Sequence, residues 1–305
     1  MAVKGEYNPG LYRWSVLLAF CTLLLVVAGG LVTSRDAGLS VPDWPLSYGK
    51  LMPPMEGGIL YEHGHRMVAT TVGLLTIVSM IWLFRADSRK WLRWLGVVAL
   101  LAVIVQGVLG GLTVLLLLPW WISTSHACLA QLFFSTTVAI ALFTSEWWLR
   151  GPAVLDEDPR YPIRGLSLAA PVCVLVQLAL GAAARHKAIG TIYHIAWAPV
   201  VTAVILWISL RILLHYAHNR ELRIASLALL GIVFCQVFLG IGAYMSRIAY
   251  ADAVQPMPAM VALTVLHVAV GALTMAASVA LAILVRRNLT SPVRDFAAPR
   301  VAAIT

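Results

Sequence analysis

Apolar runs of about 20 residues recur along the chain and are separated by short polar stretches. A transmembrane helix needs roughly 20 mostly apolar residues to cross the hydrocarbon core of a bilayer. The pattern therefore predicts eight membrane-spanning helices, at residues 13–33, 64–84, 94–116, 122–144, 166–184, 191–213, 224–244 and 259–285. Because this number is even, we expect both chain termini on the same side of the membrane.

The composition agrees with this interpretation, since 61% of the residues are hydrophobic and 11% are charged. An ordinary soluble domain has about 25% charged residues, so that class of protein is excluded. We predict an all-α integral membrane protein whose eight transmembrane helices form two pseudo-repeated four-helix bundles. The most polar run, Asp156-Glu157-Asp158-Pro159, divides them into an N-terminal half (1–150), a cytoplasmic linker (151–164) and a C-terminal half (165–305).

Lysine and arginine are distributed unevenly between the two sides of the predicted membrane protein. Six of the 22 lie on the side away from the termini, called the outer side below: Arg35, Lys50, Arg66, Arg185, Lys187 and Arg247. Cytoplasmic loops carry the excess of basic residues, so both termini are expected in the cytoplasm and the chain in the inner (cell) membrane of a bacterium. In a mitochondrion the same side would be the matrix. The net charge of +9 is mostly this bias, so no nucleic-acid partner is expected.

Each even-numbered predicted span carries one histidine near its outer end: His65, His126, His194 and His267. A single histidine in a membrane helix is usually a packing residue, but four at matching positions indicate ligands. Neutral imidazoles are suitable axial ligands for haem iron, and two on facing helices can hold one macrocycle. We therefore predict two porphyrin sites, one at His65 and His126 and one at His194 and His267.

A Gln-x-x-Leu-Gly pattern begins at positions 106, 177 and 236, each time near the outer end of an odd-numbered span. The pattern suggests an internal duplication, although glycine also lets membrane helices pack closely. Small residues near the histidines would leave room for a flat ring, namely Gly29, Gly30, Gly110, Gly111, Gly181 and Gly240.

The segment around Glu62 places three ionisable residues at one edge of an apolar run. Glu62, His65 and Arg66 share a face of a helix, because they are three and four residues apart. Unpaired charge at this depth is costly, so the group indicates a functional site; anchoring in the headgroup layer is the alternative for its basic members. The same two explanations, contacts to haem propionates or anchoring at the interface, apply to Arg35, Arg66, Arg185, Lys187 and Arg247.

A long outer loop follows Arg35 and carries Ser40-Val41-Pro42-Asp43-Trp44-Pro45-Leu46 and Met52-Pro53-Pro54-Met55 before it reaches Glu62. Proline restricts the backbone and tryptophan favours the membrane interface, so the loop is either a compact cap or a plain connector.

The chain resembles the haem A synthases, membrane enzymes that convert haem O to haem A for terminal oxidases. The resemblance is carried by Gly30-Leu31-Val32-Thr33, Pro42-Asp43-Trp44-Pro45-Leu46, Glu62-x-x-His65-Arg66 and the three later histidines. It implies that the N-terminal half takes haem O at His65 and His126, and that the C-terminal half holds the cofactor haem B by its iron between His194 and His267. It also implies that Glu62 is the catalytic residue, beside the C8 methyl that successive hydroxylations turn into a formyl group.

The same resemblance implies partners: haem O as the substrate, membrane lipid, haem O synthase, oxidase assembly factors and further copies of the chain. One departure concerns the outer loop, since many haem A synthases have two cysteines framing it and this chain has none between Val41 and Ser47. The absence puts a thiol-based electron relay in doubt.

Two other classes of protein account for parts of the pattern. A di-haem b-type membrane electron carrier, without porphyrin chemistry, explains the four histidines equally well but does not require Glu62 beside one of them. A transporter with a histidine proton relay is less suitable, because its site is expected near the membrane midplane rather than near one face.

Overall fold

The computed structural model describes residues 7–158, 160 and 162–290 of the chain. In chain order its elements are α1 (Pro9–Ser34), α2 (Gly57–Ala86), α3 (Lys90–Leu115), α4 (Trp120–Thr144), α5 (Glu146–Leu149), β1 (Leu155–Asp156), α6 (Ile163–Leu166), α7 (Ala169–Arg185), α8 (Thr191–His215), α9 (Arg220–Ala249), α10 (Pro258–Asn288) and β2 (Leu289–Thr290). Within that part, eight helical segments are long and apolar enough to cross a membrane, α6 and α7 together forming one of them. The predicted all-α membrane protein with eight spans is thereby confirmed. Four residues named in the sequence analysis or counted in its charge bias lie outside the described part: Lys4, Pro159, Arg294 and Arg300.

The long helices extend beyond the predicted apolar runs. Hydropathy placed the start of the second span at residue 64, whereas α2 begins at Gly57 and includes Glu62. Its polar first turns are stable as helix because their side chains have bonded partners. α1 and α9 each follow an asparagine, Asn8 or Asn219, whose side chain accepts a hydrogen bond from a backbone N–H of the first turn. Hydropathy therefore located the helices, and most of them extend a few residues beyond the predicted runs, although α7 begins later than expected, at Ala169.

The helices of each half pack in ring order. In the first half α1 packs on α2, α2 on α3, α3 on α4, and α4 returns to α1; α7, α8, α9 and α10 repeat this order in the second half. The two histidine-bearing helices of a half, α2 and α4 or α8 and α10, thus stand at opposite corners of its bundle. Between the halves, α4 packs on α10, and the contact of α1 with α10 is matched by that of α7 with α4. The arrangement is compatible with the predicted pseudo-repeat.

Each half has its own apolar core, and a smaller cluster joins them. Small residues let the central helices approach each other closely, as Ala272 and Ala276 of α10 do beside Phe134 of α4. Large apolar side chains remain exposed on the outward faces, for example Phe20 and Phe234. In water such a surface would be unfavourable, but it suits a helix array surrounded by lipid.

The linker joins the two halves at the end of the bundle where α1 begins and α10 ends. Strand β1 pairs in parallel with β2, with Leu155 opposite Leu289. The backbone N–H of Glu157 donates to the carbonyl of Thr290 at 3.0 Å, and the buried Glu157 carboxylate accepts from the N–H of Arg164 at 2.6 Å. These bonds fix the linker on the bundle, at the end opposite to the four histidines.

Candidate functional site

Each predicted histidine ligand packs against a glycine of the preceding long helix. The pairs, with the distance from a Cβ built on the glycine to the imidazole Cε1, are Gly29 and His65 (3.2 Å), Gly110 and His126 (3.3 Å), Gly181 and His194 (2.9 Å), and Gly240 and His267 (2.9 Å). A real side chain at these positions would displace the ring. The expectation that these glycines leave room for a macrocycle was therefore wrong, because the imidazoles themselves fill the space. Of the other two, Gly30 faces Val265 of α10 and Gly111 faces Trp44.

His194 and His267 face each other across the second bundle. Their ring centres are 6.1 Å apart and their planes are perpendicular. Two iron–nitrogen bonds of about 2 Å, as for imidazole–metal bonds generally, plus about 1 Å from each nitrogen to its ring centre, require about 6 Å. The pair therefore has the separation needed to hold one iron atom between two imidazoles.

Hydrogen bonding selects the nitrogen that His194 presents. Its Nδ1 lies 3.0 Å from the carbonyl oxygen of Gln177, and only a protonated Nδ1 can donate to that oxygen. The Nε2 then carries the lone pair, which lies 3.4 Å from the amide nitrogen of Gln177 and could bind a metal in its place, as in metal-ligating histidines whose other nitrogen donates to a carbonyl. In His267 the Nδ1 is buried and has no partner among the described residues, while the Nε2 lies 3.5 Å from the amide nitrogen of Gln236.

Contacts to the histidines explain the Gln-x-x-Leu-Gly pattern. Glutamine and glycine four residues apart lie on one face of a helix, and in each case both contact the same histidine. The amide nitrogen of Gln106 lies 2.9 Å from the backbone oxygen of His126. That of Gln177 lies 3.0 Å from the backbone oxygen of His194. In the third case the amide of Gln236 lies 3.5 Å from Nε2 of His267.

In the first bundle, His65 on α2 and His126 on α4 stand at opposite corners. The Nδ1 atom of each is buried and unpartnered within the described ranges. Three residues before His65 lies Glu62, with 4% of its surface exposed. Its Oε1 is 2.7 Å from Nη2 of Arg66, and its Oε2 accepts from the backbone N–H of Val41 at 2.8 Å.

Residues 35–56, called the outer cap here, pack on the mouth of the first bundle. Arg66 donates from Nη1 to the carbonyl oxygens of Asp43 and Leu46, both at 2.8 Å. The hydroxyl of Ser47 lies 2.8 Å from Nδ1 of His63. The Trp44 ring lies over Gly111, against the helix that supports His126. The loop is therefore a compact cap rather than a plain connector, and polar contacts to α2 attach it without a disulfide.

The Asp43 carboxylate organises the tip of the cap. It accepts from the N–H groups of Gly49 at 2.8 Å and Tyr48 at 2.6 Å. The hydrogen bond from Gly49 is the main reason that the pKa of Asp43 lies below its ordinary value of 3.8. A depressed pKa means that this carboxylate supports the folded cap above pH 3.8 and loses that effect as the pH falls through the lower folded value.

The outer basic residues differ in their surroundings. Arg66 is fully engaged by the cap and Glu62, so contact with a haem propionate would require the cap to move. Arg185, at the end of α7, donates from Nη2 to the Gly30 carbonyl at 3.0 Å and the Ser34 hydroxyl at 2.6 Å, and so joins the two halves. The Arg35 guanidinium lies 5.4 Å from the centre of the Tyr61 ring. Two further cations, Lys187 and Arg247, are exposed at the outer end.

The spans and the histidines inside the bundles define a multi-pass membrane protein with a built imidazole pair. Residues 12–196 match the sequence profile of the cytochrome oxidase assembly protein family, COX15-CtaA. The chain belongs to that family. The matched range includes Glu62, His65, His126 and His194 but ends before His267, whose place in the pair is given by the structure.

Three relatives carry the name haem A synthase. That of Shouchella clausii (strain KSM-K16) is 32% identical over 144 residues, 46% of this chain and 47% of the relative. That of Symbiobacterium thermophilum is 32% identical over 122 residues, 39% of this chain and 40% of the relative. That of Exiguobacterium sibiricum is 25% identical over 196 residues, 63% of this chain and 64% of the relative. The chain thus spans about half the length of the curated relatives it matches.

Proposed function

We propose that the protein oxidises the C8 methyl of haem O to a formyl group, giving haem A for a terminal oxidase. The observation that carries this proposal is a difference between four otherwise matching histidines. The residue three positions before His65 is Glu62, which has a carboxylate. At the same place before the other three histidines the chain has a hydroxyl side chain, namely Ser123, Thr191 and Thr264. Only one of the two similar bundles has a buried carboxylate beside its histidine ligand. This difference supports a reaction site in that bundle and a cofactor site in the other.

The second bundle would hold haem B by its iron between His194 and His267. The fit rests on the 6.1 Å separation of the imidazole centres and on the Gln177 carbonyl that orients His194. When bound, haem B supplies electron transfer. The role of this half of the chain is to fix both imidazoles, through Gly181 and Gly240.

The first bundle would bind the substrate haem O at His65 and His126. Glu62 lies one helical turn before His65, buried and 2.7 Å from Nη2 of Arg66. A carboxylate in this place can accept a proton from the reacting methyl carbon or stabilise positive charge that develops there. The outer cap excludes water from the mouth of this bundle, and Arg35, Arg185, Lys187 and Arg247 supply positive charge at the end where propionates would emerge.

The charge bias of the flanks supports a location in a bacterial cell membrane, with both termini in the cytoplasm. Haem O synthase and oxidase assembly factors are the partners that such a reaction requires before and after it, and further copies of the chain are candidate neighbours in lipid.

Mass analysis of the haems extracted from the purified protein tests the proposal. The protein is expressed with and without a supply of haem O. Haem B together with haem O, hydroxylated haem or haem A would support an enzyme with one cofactor and one substrate. Two haem B molecules per chain in the presence of haem O would instead support the di-haem electron carrier and contradict the proposal.

Replacing Gly240 with alanine is expected to weaken haem B binding. The new Cβ would lie 2.9 Å from the His267 ring, and such overpacking costs about 1–3 kcal/mol, or roughly tenfold to hundredfold in affinity. Haem B content per chain, measured by absorbance, gives the result. Gly231 of the same helix is the matched control, since no described atom lies within 4 Å of its Cβ position. Equal haem content in Gly240→Ala and Gly231→Ala would contradict the glycine's role.

A further inference from the structure

Three of the four histidine-bearing turns are bonded to a glutamine of a neighbouring helix, and the fourth is not. The glutamines stand four residues before the glycine that contacts each imidazole: Gln106, Gln177 and Gln236. Four residues before Gly29, the glycine that contacts His65, the chain has Leu25. A leucine side chain has no hydrogen-bond donor. His65 therefore lacks the support that its three counterparts share.

Different contacts position the turn that carries His65. Glu62 bonds to the Val41 backbone, and Arg66 bonds to carbonyl oxygens of the cap. Between them, His63 contacts Ser47. Residues on both sides of His65 are thus attached to the outer cap, whereas His126, His194 and His267 are supported from within the bundle.

We propose that His65 is the iron ligand that releases during haem exchange, and that the outer cap controls this release. While the cap is closed, its bonds to Glu62 and Arg66 hold His65 in place to ligate an iron. When the cap moves away, the polar support of the turn is lost with it, and Leu25 offers none in its place. Substrate and product can then leave the first bundle, while His194 in the second bundle stays held by the bonds of Gln177 to its backbone oxygen and its Nδ1. This inference rests on the proposed function, in which the first bundle is the exchanging site.

The consequence can be measured as the rate at which haem leaves the first bundle. The full chain carrying His267→Ala is loaded with ferric haem O, so that only the first bundle offers two imidazoles to the iron. Transfer to an excess of a haem-scavenging protein is then followed by absorbance. In the chain without that substitution, the same rate is measured by mass analysis as loss of haem O relative to haem B.

Leu25→Gln is expected to slow the transfer about tenfold, because it supplies the missing amide beside His65 and one hydrogen bond changes an equilibrium by about that factor. Leu25→Met is the matched control, since methionine keeps the volume but brings no donor. Arg66→Gln is expected to speed the transfer about tenfold, because it removes cap bonds. The double variant should return toward the rate of the parent chain.

Transfer rates that are equal in Leu25→Gln and Leu25→Met, together with an unchanged rate in Arg66→Gln, would overturn the inference. If Leu25→Gln fails to fold, the transfer rate of Arg66→Gln alone tests the inference, and an unchanged rate would overturn it. The measurement does not require haem A to form. A chain that makes no haem A but shows these rates contradicts the proposed function only, and a chain that makes haem A with insensitive rates contradicts this inference only.

Discussion

Glu62→Gln is expected to abolish formyl production while haem B binding remains intact. Glutamine keeps the size of the side chain and can still accept from the Val41 N–H, but it loses the charge that could receive a proton. A positioned acid–base group contributes about 10²–10⁴-fold to a rate, so the yield of oxidised haem should fall by at least about 100-fold. Mass analysis of extracted haems gives the yield, and the absorbance of haem B reports the second bundle.

Glu62 also attaches the outer cap, so a control must separate chemistry from structure. Arg66→Gln breaks the same 2.7 Å ion pair but keeps the carboxylate, and Ser47→Ala loosens the cap at His63 without touching Glu62. A catalytic Glu62 predicts a much larger loss in Glu62→Gln than in either control. Equal losses of oxidised haem in Glu62→Gln and Arg66→Gln would show that Glu62 acts only by attaching the outer cap. An unchanged yield in Glu62→Gln would exclude the catalytic assignment.

Hydropathy could locate all eight spans because a membrane helix must present a continuous apolar surface to lipid. It could not locate the start of α2, since the residues from Gly57 to Arg66 are too polar to count as an apolar run. These turns are stabilised by a hydrogen bond from the Val41 N–H to Glu62 and by hydrogen bonds from Arg66 to the carbonyl oxygens of Asp43 and Leu46, about 20 residues away in sequence. A local pattern does not contain such partners.

The candidate site also depends on contacts between residues that are distant in the sequence, and a local pattern could not predict these contacts. The positions of the four histidines and the Gln-x-x-Leu-Gly pattern were visible as spacing, because a residue and the fourth one after it share a helix face. The contact of each glycine with an imidazole depends on how neighbouring helices pack, so from the sequence alone that space was expected to hold the macrocycle. Arg185 likewise bonds to Ser34, 151 positions away. Leu25 stands where the Gln-x-x-Leu-Gly pattern would have a glutamine, which is visible in the sequence. Its significance became clear only from the structure, in which Gly29 contacts His65.

His267→Ala is expected to remove haem B from the protein. The imidazole is one of two that stand 6.1 Å apart, and a haem iron bound by two ligands loses half of its protein coordination when one is deleted. Loss of even a supporting contact costs about 10–100-fold in metal affinity, so loss of the ligand itself should exceed about 100-fold. The haem B spectrum and the mass of extracted haems measure the effect.

His126→Ala is the informative comparison for that result, because His126 lies in the other bundle and packs against its own glycine, Gly110. If the halves hold separate haems, His126→Ala keeps the haem B spectrum and loses haem O retention, whereas His267→Ala does the reverse. Loss of haem B from both variants would show that the halves depend on each other through the contact between α4 and α10. A full haem B spectrum in His267→Ala would rule out that ligand and, with it, the division into a cofactor half and a substrate half.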